Sequence, residues 1–163
     1  FLFSDTVNEN IAFAKSDATE DEIRSTAKMA QAEDFIERLE DKYETIIGER
    51  GVGLSGGQKQ RLSLARAMIK DVPIFILDDV TSAVDMETEK KIQEELKTIK
   101  DKKTNFIIAH RISSLKHSDL ILVLNEGEVI ERGSHEELLE MKGYYYRIFE
   151  TQYGDFSKEK EVV

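Results

Sequence analysis

The stretch Ile74-Phe75-Ile76-Leu77 constrains the fold most, because it is an unbroken apolar run, too short for a helix, closed by the carboxylates of Asp78 and Asp79. A run of this kind is the pattern of a strand covered on both faces within a parallel sheet. Before it, Leu62, Ala65 and Ile69 recur at helical spacing, with Arg61 and Arg66 offset from that stripe. Lys70-Asp71-Val72-Pro73 then ends the helix, since proline disfavours helical geometry in the residue before it. After the run, Met86 to Lys100 is again helical, with Ile92, Leu96 and Ile99 on one face and Glu87 paired with Lys91 on the outside. Asn105 to Ala109 follows as a second buried strand, and the alternation gives an α/β fold.

In open α/β sheets, ligand chemistry gathers at the carboxyl ends of the strands. Asp78 and Asp79 end the first strand there, and an acidic pair can hold a metal through water and polarise an attacking one. A turn that merely caps the strand is the plainer alternative, because aspartate is common in turns. His110 ends the second strand and lies on the same edge if the strands are parallel; there it is either a surface residue or a donor to phosphate near neutral pH. Upstream, Leu54-Ser55-Gly56-Gly57-Gln58 stands immediately before the helical run Lys59 to Ile69. Ser55 is placed to cap the helix, Gly56 and Gly57 leave the backbone bare, and Gln58 adds a neutral polar group. A helix start presents outward amides and partial positive charge, so the glycine pair offers that end to a phosphate. An ordinary capped helix explains the same five residues equally well.

The first 45 residues read as helical, without a strand. Ser4 can cap a short helix through Ile11, and Thr19 with Glu22 has the capping-box spacing that opens a longer one, with Ile23, Ala27 and Ala30 on one face. A further helical stretch surrounds Phe35, Ile36 and Leu39, and Glu44 to Gly53 is a loop containing Gly48, Gly51 and Gly53. Towards the other end, Leu120 to Leu124, Asn125-Glu126-Gly127 and Glu128 to Glu131 form a hairpin. Ser134 with Glu137 opens a helix through Met141, and Gly143 breaks the run. Tyr144, Tyr145, Tyr146, Ile148 and Phe149 follow as a helix for core packing or for a partner, and Ser157 to Val163 reads as a frayed tail.

Composition excludes several functions. The 163 residues carry 23 basic and 33 acidic side chains, a net charge of −10, which gives no general footprint for nucleic acid or anionic lipid. There is no cysteine, so disulfides and thiolate metal sites are ruled out, and His110, His117 and His135 share no helical face. Apolar stretches such as Leu120 to Leu124 are far too short to cross a bilayer. The start at Phe1-Leu2-Phe3, without an initiator methionine or a targeting segment, looks cut from something longer.

Taken in order, these motifs resemble the C-terminal two-thirds of an ATP-binding-cassette (ABC) nucleotide-binding domain of exporter type, from Phe1 to about Gln152. Leu54 to Gln58 with Lys59-Gln60-Arg61 resembles the signature motif, Ile74 to Asp78 Walker B, Ser82-Ala83-Val84-Asp85 the D-loop and His110 the switch histidine. Glu44 to Gly51 is similar to the segment that touches the coupling helices of a transmembrane domain. The resemblance implies a partial P-loop NTPase (RecA-like) α/β core with a mostly parallel sheet, and a helical subdomain. The corresponding regions are residues 1–66 with the signature, 67–152 with Walker B, D-loop and switch histidine, and a tail over 153–163.

It further implies a head-to-tail dimer at the cytoplasmic face of the cell membrane, in which Leu54, Ser55, Gly56, Gly57 and Gln58, with Asp85, serve ATP held by the partner's Walker A loop. Asp78 would serve Mg²⁺ through water, and Asp79 and His110 would be catalytic on their own side. Two departures stand out. The family usually has glutamate where this chain has Asp79, and withdrawing a carboxylate by about 1 Å can cost about a hundredfold in rate, which resembles the weaker subunit of heterodimeric exporters. No glycine-rich loop ending in lysine and serine or threonine occurs, and the adenine contact and Q-loop glutamine would precede Phe1, so weak ATP binding is expected of these residues alone. Missing first strands would leave an unpaired edge or a bare apolar face, and association or partial disorder in isolation. Two alternatives remain: a subunit that uses ATP only to dimerise, and a chromosome- or repair-type ABC ATPase, against which the charge and the lack of a coiled-coil pattern in Phe1 to Arg50 argue.

Overall fold

The computed structural model describes residues 2–48, 53–98 and 103–154, together with the backbone of 99 and 100. Gly51 and the end of the Glu44 to Gly51 segment, the Ile99 side chain and the tail Ser157 to Val163 lie outside the described residues. The chain folds as two compact units divided between Ile108 and Ala109.

The first unit opens with helix α1, Val7–Ala12, capped by Thr6 rather than by Ser4: the Thr6 hydroxyl accepts from the Glu9 amide at 3.0 Å. The cap sits two residues later than expected because buried Asn10 gathers the entering chain. Its side chain accepts from the Phe3 amide at 2.9 Å and donates to the Phe3 and Thr6 carbonyls at 3.0 and 2.9 Å. Helix α2, Glu20–Met29, starts with the expected Thr19 and Glu22 capping box and buries Ile23 and Ala27. The stretch around Phe35 yields only a short helix α3, Glu33–Ile36, with no side-chain cap; Leu39 is reached by turns beyond it. Thr6 and Ile46 form an isolated antiparallel bridge, so this region is otherwise helical, as expected.

Helix α4, Gly56–Met68, packs against α1 and α2 and buries Leu62, Leu64, Ala65 and Met68, with Ile69 as its C-cap. Arg66 leaves this stripe to donate to the Asn10 carbonyl at 2.7 Å and to cover the Phe3 ring, which ties α4 to the start of α1. Strand β1, Ile74–Asp78, pairs in parallel with β2, Thr104–Ile108, with Ile76 opposite Phe106 and Asp78 opposite Ile108. Helix α5, Met86–Lys100, joins them and buries Ile92 and Leu96, with the Glu87 and Lys91 pair outside at 2.7 Å.

The strands are not covered on both faces. Phe75 and Leu77 join the core with Leu62, Ile92 and Leu96, whereas Ile76 is 70% exposed and Phe106 57%, and Ile74 and Ile108 are open beside them. The apolar run in the sequence therefore records a face able to be buried, and the bare apolar face expected from the resemblance is present.

The second unit contains hairpin β3, Ile121–Asn125, and β4, Glu128–Gly133, with a bulge between Val123 and Leu124. Helix α6, His135–Glu140, carries the expected Ser134 and Glu137 capping box, and helix α7, Tyr144–Tyr153, follows. Glu131 accepts from the Tyr144 and Tyr145 amides, so a strand carboxylate serves the start of α7 where Gly143 offers no cap. Ile112, Ile121, Val123, Leu138 and Tyr145 form the core of this unit, so Tyr145 takes the packing role while Tyr144 stays exposed. The whole is an α/β chain with a parallel strand pair, an attached helical region and a separate antiparallel hairpin.

Candidate functional site

The glycine end of α4 and the carboxyl end of β1 meet in the first unit. Ser55 caps α4 through a complete capping box: its hydroxyl accepts from the Gln58 amide at 3.3 Å, and the Gln58 side chain accepts from the Ser55 amide at 2.8 Å. The Gln58 carboxamide oxygen is thus turned back onto the start of its own helix.

The two glycines differ. Gly56 is exposed, and a side chain built there would meet the Ala83 Cβ at an ordinary 3.4 Å. Gly57 is buried, and a Cβ there would lie 2.6 Å from the Ala83 carbonyl oxygen and 3.3 Å from Val84. Only Gly56 leaves backbone bare at the surface; Gly57 is required by the close approach of residues 83 and 84. The helix start keeps its positive end accessible at Ser55 and Gly56, where an anion would be favoured.

The loop after β1 is held from both sides. Asp79 takes a left-handed backbone, φ 51°, which an L-residue adopts at a cost of about 1–2 kcal/mol, and its amide donates to the Ile108 carbonyl at 2.8 Å. Gln60, one turn into α4, donates to the Asp79 carbonyl at 3.1 Å and to the Ser82 hydroxyl at 2.8 Å, and accepts from the Ala83 amide at 3.0 Å. On the other side of α4, Arg61 donates to the Gln31 carbonyl at 2.7 Å and lies over the Phe35 ring. Burial pushes the Arg61 guanidinium below its ordinary range, with Asp85 and Asp34 opposing that shift. Asp85 caps α5 by accepting from the Thr88 amide at 2.9 Å and the Thr88 hydroxyl at 2.7 Å, and these bonds hold its carboxyl below the usual aspartate value.

Asp78 and Asp79 line a hollow of about 310 Å³ together with Leu2, Lys59, Gln60, Ser63 and Val80. Among the described residues no group of three or more ligating side chains converges to hold a metal ion. A carboxylate pair without further protein ligands suits magnesium, which keeps most of its waters and takes one or two carboxylates beside phosphate oxygens. The donor set therefore fits a nucleotide-associated magnesium ion and not an all-protein cage.

The structure brings Leu54, Ser55, Gly56, Gly57, Gln58, Asp78, Asp79 and Asp85 into the first unit, while exposed His110 belongs to the second. There Gln152 of α7 donates to the His110 carbonyl at 2.8 Å and accepts from the Ile112 amide at 2.9 Å. Gln60 and Arg61 entered the sequence reading only as the continuation of the signature resemblance, without a role of their own, and Gln152 was not read as a site residue. For Gln60 a signal existed, since it stands three residues after Gly57 and so shares its helix face.

A glycine-entered, capped helix thus seats on the loop that leaves an acidic strand end in an α/β unit, and comparison with known proteins says to which class of protein that arrangement belongs. The chain belongs to the ABC transporter family, whose model, described as ABC transporter, matches residues 2–82. It is 56% identical over 155 residues to an uncharacterized ABC transporter ATP-binding protein of Bacillus subtilis, covering 95% of this chain and 26% of that protein. It is 47% identical over 162 residues to an ATP-dependent lipid A-core flippase of Legionella pneumophila, covering 99% of this chain and 28% of the flippase. A solved bacterial Atm1-family ABC exporter with ATP bound superposes with a TM-score of 0.87 at 42% identity, over 93% of this chain and 26% of that one. The chain spans about a quarter of the length of the curated relatives it matches. No helix among the described residues is long and apolar enough to cross a membrane.

Proposed function

We infer that these residues are the signature-bearing part of the ATP-binding domain of an ABC exporter, and that they power transport through ATP-dependent closure of two such domains. The observation that carries this reading is the seating of the Leu54 to Gln58 helix start, by way of Gly57, on the loop that follows Asp78 and Asp79. Ser55 and Gly56, both exposed, would receive the terminal phosphate of ATP bound by the second domain, and Gly57, packed on Ala83, would hold that helix end in place for it. Leu54 and Gln58 fix that helix end, and Asp85 holds the loop that would face the second domain.

On the chain's own side, Asp78 would hold magnesium through water, and when bound that ion neutralises phosphate charge. Asp79 would orient the attacking water, and His110 would donate a hydrogen bond to the terminal phosphate. The shorter reach of aspartate makes this the slower of two sites, which favours a heterodimer whose other member is served by this chain's signature. The further partners are the coupling helices of a transmembrane domain, at the cytoplasmic face of the membrane. Without a glycine-rich phosphate loop, the 163 residues bind ATP weakly on their own, and micromolar affinity for Mg-ATP by calorimetry would refute that.

Ser55→Asp tests the reading, because aspartate caps a helix as well as serine does but adds negative charge where phosphate would sit. In the whole exporter, ATPase activity should fall about a hundredfold or more with folding intact. Unchanged activity would sink the assignment of this helix end.

A further inference from the structure

Gln60 uses both ends of its carboxamide on one loop. Its nitrogen reaches the Asp79 carbonyl at 3.1 Å and the Ser82 hydroxyl at 2.8 Å, and its oxygen takes the Ala83 amide at 3.0 Å. Directly beside it, Gly57 lets Ala83 approach α4 to a distance that no side chain would permit. The held residue, Asp79, is in a left-handed conformation that an unrestrained chain would leave. Ser82 adds a bond from its hydroxyl to the same Asp79 carbonyl, at 3.2 Å, so the strained peptide is fixed through two donors.

We propose that Gln60 is a positioning residue that locks the peptide carrying Asp79 and the loop through Ala83 to the glycine end of α4, so that the two halves of the site move as one piece. The proposal rests on the functional reading given above. Its chemistry follows from the bonds: a donor on the Asp79 carbonyl holds the residue in its strained backbone, which aims the carboxylate. The acceptor on the Ala83 amide keeps the loop against Gly57. A displacement of the helix start on meeting a phosphate would then be passed to Asp79 without an intervening flexible joint.

Two variants separate these bonds. Gln60→Ala removes all of them, whereas Gln60→Glu keeps an acceptor for the Ala83 amide but has no donor for the Asp79 carbonyl. Hydrogen exchange on the 163-residue chain should show the Ala83 amide opening at least about fivefold faster in Gln60→Ala and near the parent rate in Gln60→Glu. In the whole exporter both variants should lower kcat for ATP about tenfold and leave KM within about twofold, since positioning of a reacting group is lost and binding is not. Unchanged exchange over residues 79–83 in Gln60→Ala would overturn the proposal, as would faster exchange spread evenly over α1, α2 and α4. A fall in KM-controlled binding with kcat unchanged would also overturn it. If the unmodified exporter hydrolyses no ATP, the functional reading falls, and the exchange measurements still decide the lock.

Discussion

Two glutamines each bind the backbone that leaves a strand of the parallel pair, and they do so in different ways. Gln60 lies in the first half of α4, is half-buried, and bonds the Asp79 carbonyl, the Ser82 hydroxyl and the Ala83 amide beside a glycine contact. Gln152 lies near the end of α7, is exposed, and bonds the His110 carbonyl and the Ile112 amide. The segment after β1 is held by hydrogen bonds and by the close approach of Ala83 to Gly57 together, and no such glycine contact accompanies the two hydrogen bonds of Gln152.

The strongest way to break this comparison is Gly57→Ala. Alanine gains up to about 1 kcal/mol in helix propensity, but the clash with the Ala83 carbonyl is that of an overpacked core, and the net cost should be about 1–2 kcal/mol. Urea denaturation of Gly57→Ala beside Gly56→Ala measures it: Gly56→Ala should be neutral or stabilising, and equal behaviour of the two glycines would remove the packing contact from the argument. A smaller effect is expected of Gln152→Ala, about 0.5 kcal/mol or less, with faster exchange confined to the Ile112 amide. A loss comparable to that of Gly57→Ala would make the second segment as firmly held as the first.

The smallest effect concerns pH. The folded-state value of Asp85 lies below that of the unfolded chain, so its cap on α5 contributes fully above about pH 4 and is lost as the pH falls through the lowered value. Asp85→Asn should keep a cap yet abolish this acid-side dependence, and thermal melts between about pH 2 and pH 5 read the difference. A dependence that survives in Asp85→Asn would assign it to another carboxylate.

Much of this was readable in the residues. The capping boxes at Thr19, Ser55 and Ser134 depend on a side chain and an amide three residues apart, and such local geometry is written in the sequence. The helix Met86–Lys100 and the parallel pairing likewise follow from periodicity and order. Ser4 failed as a cap because Asn10, a residue inside the helix, pulls the entering chain around itself, and spacing carries no sign of that. The apolar run at Ile74 overstated burial because periodicity reports which side chains could be covered and not what covers them.

The sequence by itself determined that a capped helix begins at Ser55 with bare glycine beside it, that an acidic pair ends a strand, and that the order of these motifs is that of an ABC nucleotide-binding domain. Tertiary structure decided what the two glycines and Gln60 do. Gly57 accommodates Ala83, Gly56 faces outward and Gln60 holds Asp79. Those roles depend on which backbone atoms lie within about 3 Å across a gap of some twenty residues, a distance set by the packing of α4 against the end of β1, and no local pattern encodes it.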